Sequence, residues 1–345
     1  MTVQDVPGVP VAQLRDPHPV VTIVVPMLNE QGSIQACLDG FAKQTYGTSH
    51  LDVVVVDGGS TDGSREWVEE YSVEHPWVRI VENPKKKASA AFNAGLAAAE
   101  GDVLVLFSSH GEPMVDFVEQ AVAVLLDSGA AGVGGRYLHI GTSPTSMALG
   151  LAMVSPFGMA SPHRTVTERV EVDTISHPAY VTDAMRDTGW FDEGLERNSD
   201  YEYNHRMRER GHRLIVDPAI GSIYHPRGSL RALGRQFWWY GRWKERVVRR
   251  HPGSLKVRHL VPPSAVVAAA VAPIACAWPA GRRVVGLGVV GYAALVALAV
   301  RRAEPRDHGA DALTLAACFP IMHGAWGAGF VASVLEDSWK AARAT

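Results

Sequence analysis

Short aliphatic runs alternate with amphipathic stretches through the first third of the chain. Val78–Glu82 and Asp102–Phe107 (DVLVLF) read as strands, and Val20–Pro26 (VVTIVVP) and Asp52–Asp57 (DVVVVD) are continuous runs with no polar face. That predicts strands buried on both sides. Between them lie helical patterns over Gln31–Lys43, with Ile34, Cys37, Leu38 and Phe41 on one face, and over Ser64–Tyr71, Ala88–Ala99 and Pro113–Leu126. Alternation at this spacing predicts βαβ units and a mostly parallel sheet. Ligands of such sheets bind at the carboxyl ends of the strands. Those ends, Pro26–Glu30, Asp57–Asp62, Glu82–Lys87 and Ser108–Glu112, are all polar.

The pattern loosens beyond Gly135. Thr142–Pro162, rich in Ser, Pro, Gly and Met, predicts a mobile or surface-lying segment. Arg169–Ile175 and Leu214–Asp217 predict short strands, and Asp200–Arg210 a polar helix ending at Gly211. Three apolar stretches follow, Ser264–Pro279, Val284–Val300 and Ala312–Leu335. A full membrane span needs about 20 mostly apolar residues. The third is long enough, though Pro320 and His323 interrupt it. The second is marginal between Arg282-Arg283 and Arg301-Arg302. The first is short and Pro-broken, a span or a re-entrant piece. If only the last two cross, they form a hairpin; a buried helical domain is the soluble alternative. The expected organisation is a flexible lead (1–19), an α/β domain (20–226), a basic and aromatic interfacial segment (227–259), membrane-embedded helices (260–336) and a tail (337–345).

Charge sharpens this picture. The 345 residues carry Lys+Arg 33 against Asp+Glu 36, a net −3, so the chain as a whole is no nucleic-acid binder. Between Arg227 and Arg258, however, stand ten Lys/Arg and one acid, Glu245. A basic segment running into apolar ones reads as membrane-proximal, with the preceding domain on the cytoplasmic side of the cell membrane. No secretory signal is evident in Met1–Pro19. The three cysteines, Cys37, Cys276 and Cys318, form no CxxC pair, which fits a reducing compartment and excludes a disulfide framework.

No GxGxxG follows the first strand and no GxxxxGKS occurs, so a dinucleotide or P-loop reading lacks its phosphate cradle. The first strand ends instead in Pro26-Met27-Leu28-Asn29-Glu30, the second in Asp57-Gly58-Gly59-Ser60-Thr61-Asp62-Gly63. A strand-end acid can accept hydrogen bonds from a nucleobase N–H or from ribose hydroxyls, and neighbouring glycines admit a ligand close to the backbone. Asp57 and Asp62 also suit Asx-turns. Both strand ends together favour a nucleotide site.

This combination resembles the family 2 inverting glycosyltransferases of GT-A fold. PMLNE matches their PxxNE strand end, and VVVVDGGSTDGS matches VVDDGSTDGS with Gly58 in place of the second Asp. NPKKKASAAFNAGLAAAEGD resembles the third block and WFDEGLERNSDYEYNHRMRERG the GFDE…ED…R block. The likeness covers about Val20 to Arg250. It is nearest to the membrane-associated branch that builds exopolysaccharides such as succinoglycan, through SPFG (Ser155–Gly158), VDTI (Val172–Ile175) and RQFWWYGRWK (Arg235–Lys244). The resemblance implies a GT-A-like sheet followed by a membrane-associated helical region. It implies donor-binding positions at Pro26, Asn29, Glu30, Asp57, Gly59, Ser60, Asp62, Lys87 and Asn93, with Asp57 and Glu30 on base and ribose. Asp200 aligns with the Asp of the ED pair, the general base that takes the acceptor hydroxyl's proton; it also suits an N-cap. Ser199 replaces the usual Glu of that pair. Glu202, Arg227, Arg242 and Trp243 are candidates for acceptor or diphosphate contact.

The departure lies at the fourth strand end. The family's DxD, which binds Mn²⁺ or Mg²⁺ against the diphosphate, is here Ser108-Ser109-His110. His110 matches the DxH seen in the exopolysaccharide branch and is the remaining metal candidate, with Glu112 and His225 as helpers; otherwise it donates to phosphate directly. Mn²⁺ accepts imidazole more readily than the other hard divalent ions. Without metal, Lys85, Lys86, Arg227, Arg242 and Lys244 supply the positive charge facing a leaving diphosphate. The aromatic-basic block Gln236–Lys244 suits sugar stacking and the bilayer interface alike. The expected partners are a nucleotide-sugar, UDP-linked by preference, a glycan or lipid-linked acceptor, and membrane lipid, with no nucleic acid. The rival readings are a catalytically silent nucleotide-sugar-binding or scaffold subunit, motivated by the missing DxD, and a nucleotidyltransferase, which the block around Asp200 disfavours.

Overall fold

Valine and isoleucine fill both faces of β1 (Val21–Met27), and every residue of it except Pro26 is buried. The strand therefore needs cover above, below and at both edges. It pairs in parallel with β2 (Leu51–Asp57) on one side and β4 (Val103–Leu106) on the other, and β3 (Val78–Glu82) pairs in parallel with β2. Beyond β4 the sheet turns antiparallel. The pairings β4 with β8 (Ala179–Val181), β6 (Gly132–His139) with β8, and both β5 (Gly111–Pro113) and β7 (Val170–Glu171) with β9 (Leu214–Tyr224) all run so. The order is β3-β2-β1-β4-β8-β6-β9-β5, with β7 beside β9. The sheet is thus mixed, and its parallel half is the part built from the four aliphatic runs.

The computed structural model describes residues 14–158, 166–226 and 228–344. They fall into two compact units, one within Met1–Leu138 and Pro162–Tyr224, the other within His139–Ser161 and His225–Thr345. In the first, α1 (Ile34–Ala42), α2 (Ser64–Glu74), α3 (Ala88–Ala98) and α4 (Phe117–Ser128) link or flank the strands. The helix α4 starts four residues later than the periodicity indicates, because Gly111–Pro113 is taken up by β5. The strand β9 runs on through Pro218 to Tyr224, well past the expected end at Asp217. Two short helical elements complete the unit, α6 (Thr182–Thr188) and α7 (Ser199–Glu209).

The second unit gathers α5 (Pro144–Val154), α8 (Leu230–Arg250), α9 (Val261–Ala275), α10 (Pro279–Arg302) and α11 (Ala312–Ala344). Residues 139–158, which the sequence places within the sheet domain, belong here. The expectation of a mobile or surface-lying segment over 142–162 is corrected for its described part. Ser143 caps α5 through a reciprocal pair with Ser146, and Ala148, Leu149, Ala152 and Met153 are fully buried. The Ser-Pro start is the cap of a helix, and its apolar face packs on α11, where Phe157 meets Phe319 at 5.3 Å between ring centres. Three helices are long and apolar enough to cross a membrane by length and composition: Val257–Ala275, Pro279–Arg302 and Ala312–Trp339.

Glycine sets one close contact in the sheet unit. A Cβ on Gly95 of α3 would lie 2.3 Å from Val24 Cγ1 at the centre of β1. Gly95→Ala must push α3 off the sheet, and overpacking of this kind costs about 1–3 kcal/mol. A lowered thermal midpoint of the purified protein is the expected result.

Candidate active site

The loops after β1 and β2 are zipped together. Asn29, held at φ 57°, receives Thr61 N–H on its Oδ1 at 2.9 Å and donates its own N–H to Ser60 Oγ at 3.0 Å. Glu30 N–H reaches Ser64 Oγ at 3.0 Å, and Gln31 N–H reaches Asp62 Oδ2 at 3.1 Å. Asp62 also accepts from Ser64, chiefly its hydroxyl, and these bonds hold its carboxyl below the usual range. Asp57 is fully buried and accepts from Gly59 N–H (3.1 Å), Ser60 N–H (3.1 Å) and Ser60 Oγ (2.6 Å), with the Arg65 guanidinium 3.5 Å away. Both acids therefore make the Asx-turns that their positions allow. Gly59, at φ +82°, gives the turn a conformation that side chains resist. What this loop presents outward is backbone fixed by Asp57.

The end of β4 lies beside that of β1. His110 Nδ1 sits 3.6 Å from Glu30 Oε1, and Ser33 Oγ donates to Glu30 Oε2 at 2.7 Å. The bond to His110 is the largest of several that keep the Glu30 carboxyl low against partial burial. The Ser108 hydroxyl, where the family carries its first Asp, is sealed from solvent without a partner. Ser109 is buried with its hydroxyl bonded to Glu30, and His110 is the exposed member of the strand-end triplet. Imidazole nitrogen and carboxylate oxygen together suit Mn²⁺ better than Mg²⁺, which demands oxygen in octahedral array. His225 belongs to the other unit, where its Nδ1 is 3.3 Å from Ile140 O.

Lys87 and Asn93, expected on the donor, are engaged in a clasp. Asn93 binds Phe191 through both amide ends, its Nδ2 donating to Phe191 O (3.0 Å) and its Oδ1 accepting from Phe191 N–H (2.7 Å). Lys87 Nζ donates to Glu193 O at 3.1 Å, and Lys85 Nζ pairs with the Glu193 carboxylate at 2.6 Å. The third sequence block is thereby bolted to the Trp190–Glu193 block. A cavity of about 530 Å³ opens beside the clasp, lined by Glu82, Asn83, Lys85, Asn93, Trp190 and Glu193 among others. It includes none of Glu30, Asp57, His110 or Asp200, so it opens on the loop after β3 and not on those after β1, β2 and β4.

Asp200 is the second residue of α7, after Asn198 in the left-handed cap position. It is thus not the N-cap. Solvent reaches it, yet surrounding protein strips enough hydration to lift its carboxyl above the ordinary aspartate range, against the N–H groups of Tyr201 and Asp200 itself. The helix behind it is anchored. Phe191 stacks on Tyr203 at 3.9 Å, and Arg206 binds the buried Glu202 carboxylate (2.6 and 3.1 Å) together with Thr188 O (3.0 Å) and Trp190 O (2.8 Å). Glu202, expected near acceptor or diphosphate, instead orients α7. Trp243 is buried beneath the Arg246 guanidinium at 4.1 Å, and Arg242 pairs with Glu336, so both serve the packing of α8. Lys244 is buried and bonded to Ser254 O. Arg227 lies outside the described residues.

Three residues enter that the sequence did not single out. Glu193 and Arg206 lie inside quoted blocks, and only tertiary contacts give them partners. His177, at φ 43°, lays its ring 4.0 Å from Phe107 and bonds Ser222 Oγ at 2.9 Å, close under Gly111. No local pattern marks it.

A parallel β3-β2-β1-β4 edge with polar strand-end loops, continued by an antiparallel half, is the architecture of the GT-A glycosyltransferases. Among solved structures, the mannosyltransferase PcManGT from Pyrobaculum calidifontis, in complex with GDP-Man and Mn²⁺, superposes with a TM-score of 0.62 at 20% identity over 88% of each chain. Residues 22–193 match the domain "Glycosyl transferase family 2". The chain is 31% identical over 329 residues to the succinoglycan biosynthesis protein ExoA of Rhizobium meliloti (strain 1021), covering 91% of this chain and 94% of that one. It is 26% identical over 238 residues to a dolichyl N-acetyl-alpha-D-glucosaminyl phosphate 3-beta-D-2,3-diacetamido-2,3-dideoxy-beta-D-glucuronosyltransferase of Methanococcus voltae, covering 67% and 74%. The protein belongs to glycosyl transferase family 2 and is a glycosyltransferase.

Removing one partner of a buried ion pair costs about 3–5 kcal/mol. Arg206→Met is therefore expected to lower the denaturation midpoint strongly. Adding Glu202→Gln should recover part of the loss, as a double-mutant comparison by chemical denaturation will read.

Proposed function

We propose that the protein is a membrane-anchored inverting glycosyltransferase of polysaccharide assembly, moving a sugar from a nucleotide donor, UDP-linked by preference, to a hydroxyl of a lipid-linked glycan. The observation that carries the catalytic part is Asp200. It is a solvent-reached carboxylate with raised proton affinity on a firmly braced helix, directly after the Trp190–Glu193 block. The ExoA likeness supports the biosynthetic setting, and the three apolar helices support the anchor.

The backbone of Gly59–Thr61, shaped by Asp57, and the Glu30 carboxylate take the base and ribose. The sugar's anomeric carbon then faces Asp200. Asp200 accepts the acceptor's proton as the acceptor oxygen forms its bond to that carbon, and the bond to the diphosphate oxygen breaks on the opposite side. His110 and Glu30 are the residues that would hold Mn²⁺, and the ion would neutralise charge on the leaving group. Lys86, whose Nζ would lie 3.5 Å from a Cβ on Gly59, adds positive charge beside the donor loop.

A general base contributes typically 10²–10⁴-fold, so Asp200→Asn is expected to lose turnover of about that size while its thermal midpoint and donor binding hold. Retained turnover would remove Asp200 from the role. A base must be ionised to act, so activity rises with pH through the Asp200 pKa. The acid limb of kcat/KM is expected above the ordinary aspartate range and should vanish in Asp200→Asn.

His110→Ala is expected to weaken activation by Mn²⁺ at least tenfold, with Mg²⁺ the poorer activator of the parent enzyme. Equal activity in chelator would dismiss the metal. The sealed Ser108 hydroxyl favours a second reading, a silent nucleotide-sugar-binding subunit. Calorimetric donor binding without nucleoside diphosphate release, with or without Mn²⁺, would select it.

A further inference from the structure

Length and composition admit three membrane crossings, but the helices differ in what surrounds them. In the apolar windows of α9 and α10 only 6% of residues are buried by protein, against 33% in α11. Val284, Leu287, Val289, Val290, Leu295 and Leu298 spread around α10 and are all exposed. No charged residue falls between Arg283 and Arg301. A helix apolar on every side lacks the polar face that lying in the interface requires, and belongs within hydrocarbon.

The second half of α11 is sheathed by α8, the most basic helix of the chain. The two run in the same direction, from Gly234 beside Ile321 to Arg249 paired with Asp337 at 2.6 Å. Glycines bring them close, since a Cβ on Gly241 would lie 1.9 Å from Trp326 O and one on Gly329 2.1 Å from Trp238 O. Polar links follow, with Ser333 Oγ donating to Glu245 at 2.8 Å and Arg242 paired with Glu336. The overlap, Ile321 to Asp337, is about 24 Å long at 1.5 Å per residue, most of the thickness of a bilayer's hydrocarbon. The first half of α11 beds on α5, Leu315, Cys318, Phe319 and Met322 being fully buried, and His323 bonds Phe157 O at 2.8 Å and the Tyr292 hydroxyl of α10 at 2.9 Å. Passing α11 through a membrane would drag the arginines of α8 with it.

We propose that α9 and α10 cross the bilayer as a hairpin, that α11 does not cross, and that the carboxyl terminus lies on the same membrane face as α8. A parity argument leads there. Because α8 and the second half of α11 are bound along their length, an even number of crossings separates them. The helix α10 supplies one, so α9, joined to it through only Cys276–Trp278, supplies the other. The 15 residues of α9 reach about 22 Å, three-quarters of the hydrocarbon thickness. The hairpin tip carries Trp278, Arg282 and Arg283, residue types that settle at an interface. Arg301, Arg302 and Arg306 then share the α8 face with the basic stretch from Arg227 to Arg258, as the positive-inside bias requires. This rests on the membrane-anchor reading above, and it contradicts a hairpin made from the last two apolar stretches.

Cells expressing the full chain, with an epitope after Thr345, decide it. Alkaline carbonate extraction first shows whether the protein is membrane-integral; full release would overturn the anchor reading and the hairpin with it. For retained protein, a membrane-impermeant maleimide applied outside intact cells is expected to label Cys276, and Cys276→Ser to abolish that labelling. Trp278→Cys in the Cys276→Ser background provides a more exposed target at the same tip. The epitope should resist external protease until the cells are opened. An externally cleaved epitope would mean that α11 crosses, and a tip unlabelled at both positions until opening would mean that the hairpin does not.

Discussion

The burial of β1 between β2 and β4 governs the rest of the protein. Its side chains leave no face for water, so the sheet must close on both edges and helices must cover both sides. Fixed in that register, Met27 lies opposite Asp57 and Val24 opposite Leu106. The loops that follow the three strands must then emerge at one edge. Asn29, Glu30, Ser60, Asp62 and His110 are neighbours for that reason, although nearly eighty residues separate the first from the last. The strand order reverses between β1 and β4, the place where α/β sheets open a crevice for ligands, and the Glu30–His110 pair stands there.

The carboxylates of the sheet unit divide by what surrounds them. Asp57, Asp62, Glu193 and Glu202 each face several donors and hold loops or helices in place. Asp57, Glu193 and Glu202 have a guanidinium or ammonium group beside them, and Asp62 has three neutral donors. Asp200 differs, because solvent reaches it and the described side chains offer it no cation, while desolvation raises its affinity for a proton. That contrast between matched and unmatched acids is what separates a candidate base from its scaffold. The clasp of Asn93 on Phe191 and the Arg206 bracket on Glu202, Thr188 and Trp190 fix the segment on both sides of Asp200, so its backbone has little freedom to wander.

Much of this is legible in the amino-acid sequence alone. The four runs mark the parallel strands to within about one residue, and for β1, β2 and β4 burial on both faces leaves the local signature. The strand-end motifs and the block around Asp200 point to glycosyl transfer. Other features were not readable, for physical reasons. Lys87, Asn93 and Glu202 occupy matching positions, but their partners lie on other elements or one helical turn away, and only the folded chain shows that Phe191, Glu193 and Arg206 claim them. The helix over 144–154 is hidden because Ser, Pro and Gly also mark loops, and its burial depends on α11 about 160 residues later. Trp243 and Arg242 looked like ligand contacts because aromatic and basic side chains serve packing, sugar and membrane equally well. The apolar length of α11 admits a crossing by composition, and only the folded chain shows how much of it α8 covers.

Single displacement assisted by one carboxylate has a stereochemical consequence that no scaffold and no double displacement shares. Proton NMR of the product formed from an α-linked nucleotide-sugar, chosen by thermal-stabilisation screening of donors, reads the anomeric coupling of the transferred sugar. Attack opposite the diphosphate gives a β-linked product. An α-linked product would contradict the role assigned to Asp200.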